Sequence, residues 1–414
     1  MGCVGIAAVF VLATAASLRT AKRPMDEKVV EHETTRLAYA IFCSAGQTTS
    51  SVQLLSSIYH TQNVYVLHLD AKASDVEKRV LDEVVRPQLP NNVKLMDSSS
   101  ITWGGISIVL GTVRAIAVLL EHYGSTWDYF INLSASDMPL MPQAHIMHML
   151  ARMPFSNFMS GTKFDEETAK RQYNRRNGLV VDPSLAVGRQ AKRFQSLSDR
   201  RSAPTEFMPY KGGGWFIIHR SFAEMSVDLS RPWTGRLLAY FANWFAADES
   251  YFQTLACALW PDKVQHVSKE DWRFIRWTGK VHPDTLQGTE DLIQAFTSGA
   301  FYARKFDFPS VERNVLHEFV HTHPSTLPQH STVGYQQLRE LLLKLLPKGK
   351  ANESDFDRND LYKQVTHLKS LRLEQAAAME QRYAYATASQ LCTPDFRSPV
   401  RPAERKDESN QVTA

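Results

Sequence analysis

The sequence lacks several features that would assign a protein to a specialised class. Its 414 residues include four cysteines, Cys3, Cys43, Cys257 and Cys392, whose positions show neither metal-ligand spacing nor the density of a small disulfide scaffold. The net charge is only +4, from 47 basic and 43 acidic residues, which predicts no nucleic-acid partner. No internal repeat occurs at the periods of solenoid proteins. Disulfides are therefore not expected to define the fold. The sequence predicts an ordinary globular protein.

Long hydrophobic runs are also scarce. The apolar segment at residues 3–18 is shorter than the roughly 20 residues that a comfortable membrane span requires, and Arg19 and Arg23 follow it. This pattern predicts that residues 1–35 are a signal peptide, cleaved near the small residues Ala15-Ala16, or a short signal anchor with a stem. Either would place the rest of the chain in the secretory lumen. A disordered leader is the alternative.

The rest of the chain alternates between strand and helix patterns. Two β-rich runs at residues 36–42 and 64–69 enclose a stretch of helical period, which is typical of a βαβ unit and favours a parallel sheet. A further strand at residues 129–133 ends in the polar sequence Ser134 to Pro139. Ligands bind at the carboxyl ends of strands in such sheets, so this segment is a candidate site.

Further along the chain, a polar and basic stretch at about residues 162–207 predicts loops and exposed helix that could line an acceptor groove. Residues 211–218 predict a glycine-rich turn entering an apolar strand, and residues 247–252 predict a helix with carboxylates in its first turn. A helical C-terminal extension is expected at residues 309–396, and a disordered tail at residues 397–414.

One motif points to a different chemistry. The sequence His317-Glu318-Phe319-Val320-His321 matches the zinc-protease signature, in which two histidines one helical turn apart bind the metal and the glutamate activates water. Glu340 could serve as a third ligand. Pro324, however, would end the helix soon after His321. We expect no metal site here and keep a zinc metallopeptidase as an alternative.

Six segments together resemble family 14 glycosyltransferases, in the family's order and spacing, over roughly residues 36–308. The family contains peptide O-xylosyltransferases, core-2 and I-branching N-acetylglucosaminyltransferases, and plant β-glucuronosyltransferases. The six segments are Tyr65 to Asp70, Trp103-Gly104-Gly105, Ile131 to Leu140, Gly213 to Phe216, Asp248 to Phe252, and Phe301 to Asp307.

The resemblance implies a GT-A-like Rossmann-type fold, α/β, with a mostly parallel sheet flanked by helices in a single catalytic domain at residues 36–308. It also implies inverting transfer of a sugar from a UDP-sugar to a glycan or glycoprotein, with a β-linked product and neither a cofactor nor a metal ion. The donor sugar stays open between N-acetylglucosamine, xylose and glucuronic acid. The implied location is the Golgi membrane, with type II topology and a lumenal catalytic domain. Secretion after signal cleavage is the alternative.

The resemblance assigns the catalytic chemistry to three residues. Glu249 matches the family's catalytic base, which takes the proton of the acceptor hydroxyl, and Arg304 and Lys305 match the cations that hold the diphosphate in place of a metal ion. The metal-binding Asp-x-Asp pattern occurs only at Asp355-Phe356-Asp357, in the polar C-terminal extension. Taken alone, Glu249 would only favour a helix start, and Arg304 and Lys305 would be a solvated basic pair.

Substrate-binding residues are implied in the same way. His68, Asp70, Trp103 and Gly104 match nucleotide-binding positions, and Asp137, Gly214, Trp215 and Asp248 match positions near the donor or acceptor sugar. His68 could equally be a satisfied core histidine, and Trp103 and Trp215 could serve packing alone. An inactive sugar-binding relative that keeps the fold as a scaffold is a further alternative.

Overall fold

The part of the chain described by the computed structural model begins at Thr35. It comprises residues 35–163, 178–185, 194–200, 204, 206–259, 266–280, 282–322, 333–345 and 358–392. The expected signal peptide or anchor, apart from Thr35, and the expected tail at residues 397–414 lie outside it, as does Asp355-Phe356-Asp357. Within the described residues, no helix is long and apolar enough to span a bilayer.

Strands and helices alternate along most of the described chain. The strands are β1 (Leu37–Cys43), β2 (Val64–Leu69), β3 (Val93–Leu95), β4 (Tyr129–Ser134), β5 (Met138–Pro139), β6 (Asn157–Lys163), β7 (Gly178–Val181), β8 (Gln195–Arg200), β9 (Tyr210–His219), β10 (Val267–Ser268), β11 (Arg273–Ile275) and β12 (Tyr302–Arg304). The α-helices are α1 (Thr48–Ile58), α2 (Asp75–Arg79), α3 (Ser107–Tyr123), α4 (Gln143–Ala151), α5 (Arg220–Val227), α6 (Pro232–Phe241), α7 (Tyr251–Leu259), α8 (Gly288–Thr297), α9 (Val311–Thr322), α10 (Val333–Leu345), α11 (Arg358–Ser370) and α12 (Arg372–Ala388). A π-helical turn (Val80–Val85) and three 3-10 turns (Arg86–Gln88, Pro183–Leu185, Ala247–Glu249) complete the set.

The main sheet has the strand order β10-β6-β9-β4-β1-β2-β3. Strands β4, β1, β2 and β3 run parallel, whereas β9 is antiparallel to both β4 and β6. Every residue of β2 and all but one of β1 are buried, as expected for parallel strands covered on both faces by helices. Helix α1 connects β1 to β2 and completes the predicted βαβ unit. The α/β fold with a mostly parallel sheet is confirmed.

A second, small sheet has the order β11-β12-β5. Strand β12 pairs in parallel with β11 and antiparallel with β5, so that Tyr302 lies opposite Pro139 and Ala303 opposite Met138. Asp137 directly precedes β5, and Arg304 is the last residue of β12. The pairing therefore brings two sequence-predicted site segments together.

The glycine run does not form the predicted turn. Gly212, Gly213 and Gly214 lie inside β9, which spans Tyr210–His219. A Cβ atom on Gly212 would come within 1.7 Å of the carbonyl oxygen of Ser160 on the neighbouring strand β6. The glycines are thus needed for close strand approach, which a pattern of small residues does not distinguish from a turn.

The carboxylates at residues 248 and 249 also differ from expectation. Asp248 and Glu249 lie in the 3-10 turn Ala247–Glu249, and Ser250, with φ of −141°, separates that turn from α7. They therefore precede the helix rather than occupying its first turn. Ala246, at the start of the turn, has φ of +52°.

The middle of the chain contains strand as well as loop. Strands β7 and β8 form an antiparallel pair where only loops and exposed helix had been expected. The segments at residues 164–177 and 186–193 lie outside the described residues, so the expected acceptor groove stays a prediction.

The C-terminal helices pack onto the region of the main sheet rather than standing apart from it. Leu316 and Phe319 of α9, Leu338 of α10 and Leu368 of α11 share one buried cluster with Ile131 of β4. A disulfide joins Cys257 of α7 to Cys392, which follows α12. Nothing in the spacing of the cysteines predicts this pairing.

Candidate active site

The candidate site is built around the loop that follows β4. Asp137 has no exposed surface, and its Oδ2 accepts a hydrogen bond of 2.7 Å from the backbone N–H of Ser134. The N–H of Phe306 donates to the carbonyl of Ser136 at 2.9 Å, which ties the end of β12 to this loop. Arg304 is thereby held against Asp137, with its Nε 3.5 Å from Oδ1.

The guanidinium of Arg304 lies over the ring of Trp215, with 4.0 Å between its Cζ and the ring centroid. Burial lowers the pKa of Arg304, whereas the charges of Asp137 and Asp248 raise it. Its Nε and Nη1 are buried and have no hydrogen-bond partner among the described residues. This is a desolvated cation with donors left for an anion, so the solvated basic pair expected of an isolated Arg-Lys dipeptide does not describe Arg304.

The turn carrying Asp248 and Glu249 lies against β9 at Gly214. A Cβ atom on Gly214 would approach Asp248 Oδ2 to 2.6 Å, so the carboxylate occupies the space that a side chain would fill. Glu249, next in the chain, is partly exposed, as is Lys305, whose carbonyl accepts from the N–H of Leu286 at 2.8 Å. Arg304 thus contacts Asp137 and Trp215, and the charge of Asp248 acts on it. Glu249 and Lys305 are the chain neighbours of Asp248 and Arg304.

Two residues that the sequence did not single out shape this site. Backbone pairing between β4 and β9 stops at Ile131, and the amide of Asn132 takes over: its Nδ2 donates to Gly214 O at 2.7 Å and its Oδ1 accepts from Phe216 N at 2.9 Å. Buried Arg273 donates to the carbonyl of Asn132 at 3.2 Å. The Asn132 side chain therefore holds β4 and β9 together just beyond the point where their backbone pairing stops. A lone asparagine in an apolar strand was the only signal available.

Arg313 of α9 is a third residue missed from sequence. Its fully buried guanidinium donates three bonds of 2.8 Å, to the carbonyls of Ala135 and Ser50 and to Gln53 Oε1. Burial lowers its pKa to about 10. The predicted extension thus supplies a side chain that fixes the loop leading to Asp137.

The loop Trp103-Gly104-Gly105 lies beside the turn that carries Glu249. Gly104 has φ of +76°, and its carbonyl accepts from the N–H of Ala246 at 3.0 Å. Trp103 is 38% exposed, with ring contacts to Phe194, Phe245 and His282. Trp103 is thus both packed and partly exposed, and its nucleotide role stays a prediction.

His68 and Asp70 lie at the end of β2, which β1 separates from β4. His68 is 2% exposed, and its Nε2 accepts from the backbone N–H of Ser99 at 3.1 Å. Because a backbone N–H only donates, we infer a neutral ring with its proton on Nδ1. Asp70 pairs with Lys72 Nζ at 2.7 Å. The core interpretation of His68 fits this burial, and both nucleotide roles stay predictions.

Two buried histidines predict a loss of stability in acid. Burial lowers the pKa of His68 and of His219 to about 4, against 6.5 for a free imidazole. The unfolded chain therefore takes up protons first, so the stabilisation is complete above pH 6.5 and is lost as the pH falls towards 4. We expect up to about 3 kcal/mol per histidine. Urea unfolding of His68→Asn across this range should show a shallower pH dependence than the wild type; an identical slope would contradict the assignment.

The zinc-protease motif lies on helix α9. The rings of His317 and His321 meet edge to face with their centroids 4.4 Å apart, and His317 Nδ1 lies 2.8 Å from Ser57 Oγ. The helix is described as far as Thr322, and Pro324 lies outside the described residues, so its expected effect stays a prediction. Within the described part of the chain, no group of three or more His, Cys, Asp or Glu side chains is arranged to hold a metal ion. Glu340 accordingly does not complete such a group.

Comparison with known proteins adds a family context to this geometry. The family described as Core-2/I-Branching enzyme matches residues 37–300. Two Arabidopsis thaliana proteins, Beta-glucuronosyltransferase GlcAT14B and GlcAT14A, are 31% and 32% identical over 66% of this chain, which covers 63% and 61% of their lengths. Human Xylosyltransferase 2 is 25% identical over 72% of the chain and 34% of its own length. The chain thus spans about three fifths of the two plant relatives.

Proposed function

Because this chain belongs to the core-2/I-branching enzyme family of glycosyltransferases, we propose that it transfers a sugar from a UDP-sugar to a hydroxyl of a glycan or glycoprotein, with inversion and without a metal ion. The acceptor oxygen forms a bond to the anomeric carbon while the bond from that carbon to the β-phosphate oxygen breaks. UDP leaves with the bonding electron pair, and the acceptor proton passes to a protein carboxylate.

The observation that carries this proposal is the buried guanidinium of Arg304. Asp137 and the ring of Trp215 hold it in place, and its Nε and Nη1 have no hydrogen-bond partner in the described chain. A leaving diphosphate gains negative charge as the glycosidic bond breaks, and a preorganised guanidinium stabilises that charge. Lys305, partly exposed, adds a second cation next to it in the chain. Together they take the part that a divalent ion plays in metal-dependent enzymes.

Glu249 is the proposed base. It is partly exposed, and its neighbour Asp248 reaches Gly214 and acts electrostatically on Arg304, so the turn places a carboxylate near the proposed diphosphate site. Asp137 has no exposed surface, which supports a role in orienting Arg304 rather than direct contact with the sugar. We assign the sugar site to Trp215 and Gly214. We assign the nucleotide site to Trp103, Gly104, His68 and Asp70.

We further propose a Golgi-lumenal catalytic region with a membrane anchor or cleaved signal in residues 1–35, which lie almost wholly outside the described chain. The Cys257–Cys392 disulfide supports an oxidising compartment. The plant and human relatives leave glucuronic acid and xylose as donors, with N-acetylglucosamine as the third candidate.

A UDP-release assay tests the proposal. Purified protein is incubated with UDP-glucuronic acid, UDP-xylose or UDP-N-acetylglucosamine, each with a mixture of glycan and glycopeptide acceptors. One donor should give acceptor-dependent UDP release. Release from none of the three, by protein that unfolds cooperatively, would contradict the proposal.

A further inference from the structure

Asp182 belongs to a short segment far from the predicted motifs, yet it contacts one of them directly. It follows β7, is 2% exposed, and its Oδ2 accepts from the N–H of Ser107, the first residue of α3, at 2.8 Å. Its Oδ1 accepts from the N–H of Ser184 at 3.0 Å and also from the Ser184 hydroxyl. Both carboxylate oxygens are therefore engaged, one by the helix start and one by its own turn.

The same carboxylate explains the second glycine of the Trp103-Gly104-Gly105 loop. A Cβ atom on Gly105 would lie 2.1 Å from Asp182 Oδ2, so only glycine leaves room for it. Thr102 Oγ1 donates to Ser184 Oγ at 3.0 Å, which adds a second link between the segment and the loop. Residues 182–184 thus hold the loop on one side.

On its other side the loop is bonded to the turn that carries the proposed base. The N–H of Ala246 donates to Gly104 O at 3.0 Å, and the N–H of Glu249 donates to Ala246 O at 3.0 Å. Asn243, just upstream, exchanges two bonds with Val180, its Nδ2 donating to Val180 O at 2.9 Å and its carbonyl accepting from Val180 N at 3.0 Å. The segment that bears Asp182 is therefore bonded at two places: to the Trp103-Gly104-Gly105 loop, and to Asn243, just before the turn that carries Glu249.

We propose that Asp182 is a positioning residue for sugar transfer: it fixes the Trp103-Gly104-Gly105 loop and, through Ala246, the placement of Glu249. Asp182 is buried and is not assigned contact with a substrate. The inference rests on the proposed role of Glu249. Since small displacements of a reacting group lower rates strongly, the loss in kcat should exceed any loss in donor binding at the same loop.

Asp182→Asn is the test variant, because an amide has one oxygen and cannot accept from both Ser107 and Ser184. Asp128→Asn is the control for the same carboxylate-to-amide change away from the site: the single oxygen Asp128 Oδ2 accepts from Arg36 N at 2.8 Å and Thr35 Oγ1 at 2.9 Å, at the opposite, amino end of β4. Both variants are assayed at a temperature at which unfolding curves show them fully folded.

For Asp182→Asn we expect kcat to fall about tenfold or more, by a larger factor than the UDP affinity measured by calorimetry, while Asp128→Asn keeps the wild-type kcat. Equal losses in both variants, or a wild-type kcat in Asp182→Asn, would overturn the proposal.

Hydrogen exchange supplies a readout that needs no activity. Asp182→Asn should speed amide exchange at both Ser107 and Ala246 while peptides from β1 keep wild-type rates. Faster exchange at Ser107 alone would make Asp182 a local helix cap and refute the link to Glu249. A protein that shows the double effect but transfers no sugar would instead refute the proposed function.

Discussion

Glu249→Gln is expected to reduce transfer by about 10²- to 10⁴-fold, the range that a general base contributes. Glutamine keeps the shape of the side chain but cannot take the acceptor proton. UDP binding, measured by calorimetry, should stay at the wild-type value, because the base acts on the acceptor and not on the nucleotide. The loss should therefore appear in kcat.

Glu318→Gln is the matched control for this experiment. Glu318 is the exposed glutamate of the zinc-protease motif on α9. If the chain is a glycosyltransferase, Glu318→Gln transfers sugar at the wild-type rate. A Glu249→Gln variant that retains wild-type kcat would contradict the assignment of the base, and a peptidase activity abolished by Glu318→Gln would revive the alternative function.

Arg304→Ala should weaken both UDP binding and transfer. A charge-assisted hydrogen bond contributes about 1.5–3 kcal/mol, so we expect UDP affinity to fall by roughly 10- to 100-fold. Transfer should fall further, because the charge on the diphosphate grows as the bond breaks. The contrast with Glu249→Gln, which affects transfer alone, separates the two proposed roles.

Loss of Arg304 also leaves Asp137 buried without its cation, which is itself destabilising. Two further variants keep the experiment interpretable. Lys305→Ala removes a partly exposed cation and should weaken UDP binding in a protein of near-normal stability. Arg152→Ala is the control, since Arg152 likewise lies 4.0 Å from a ring centroid, that of Tyr383, and pairs with a carboxylate, Glu380. Equal UDP affinity in wild type, Arg304→Ala and Lys305→Ala would refute the diphosphate site.

Strand and helix periodicity in the sequence predicted most of the fold. The runs that became β1, β2 and β4 are short, apolar and rich in branched or aromatic residues, and each is buried nearly throughout, so local pattern and tertiary burial agree. The prediction of a turn at the glycine run was wrong because these small residues allow β9 to lie close to β6, where a Cβ atom on Gly212 would come within 1.7 Å of Ser160 O. That strand lies about fifty residues earlier in the chain, beyond the reach of local pattern.

The sequence predicted the roles of site residues only where those residues match a family motif. Arg304 and Glu249 follow from the family resemblance, whereas Asn132, Arg273 and Arg313 act through contacts with distant parts of the chain. In a single sequence each is an ordinary polar residue, and a buried guanidinium such as that of Arg313 looks like any surface arginine. The Cys257–Cys392 pairing was hidden for the same reason, since its cysteines are 135 residues apart.

The most direct measurement is the transfer rate of enzyme dialysed exhaustively against EDTA, at saturating donor, with and without added Mg²⁺ or Mn²⁺. If Arg304 and Lys305 carry the charge of the leaving diphosphate, the chelated enzyme retains its full rate and added metal changes nothing. A rate that collapses in EDTA and returns with either ion would contradict the mechanism.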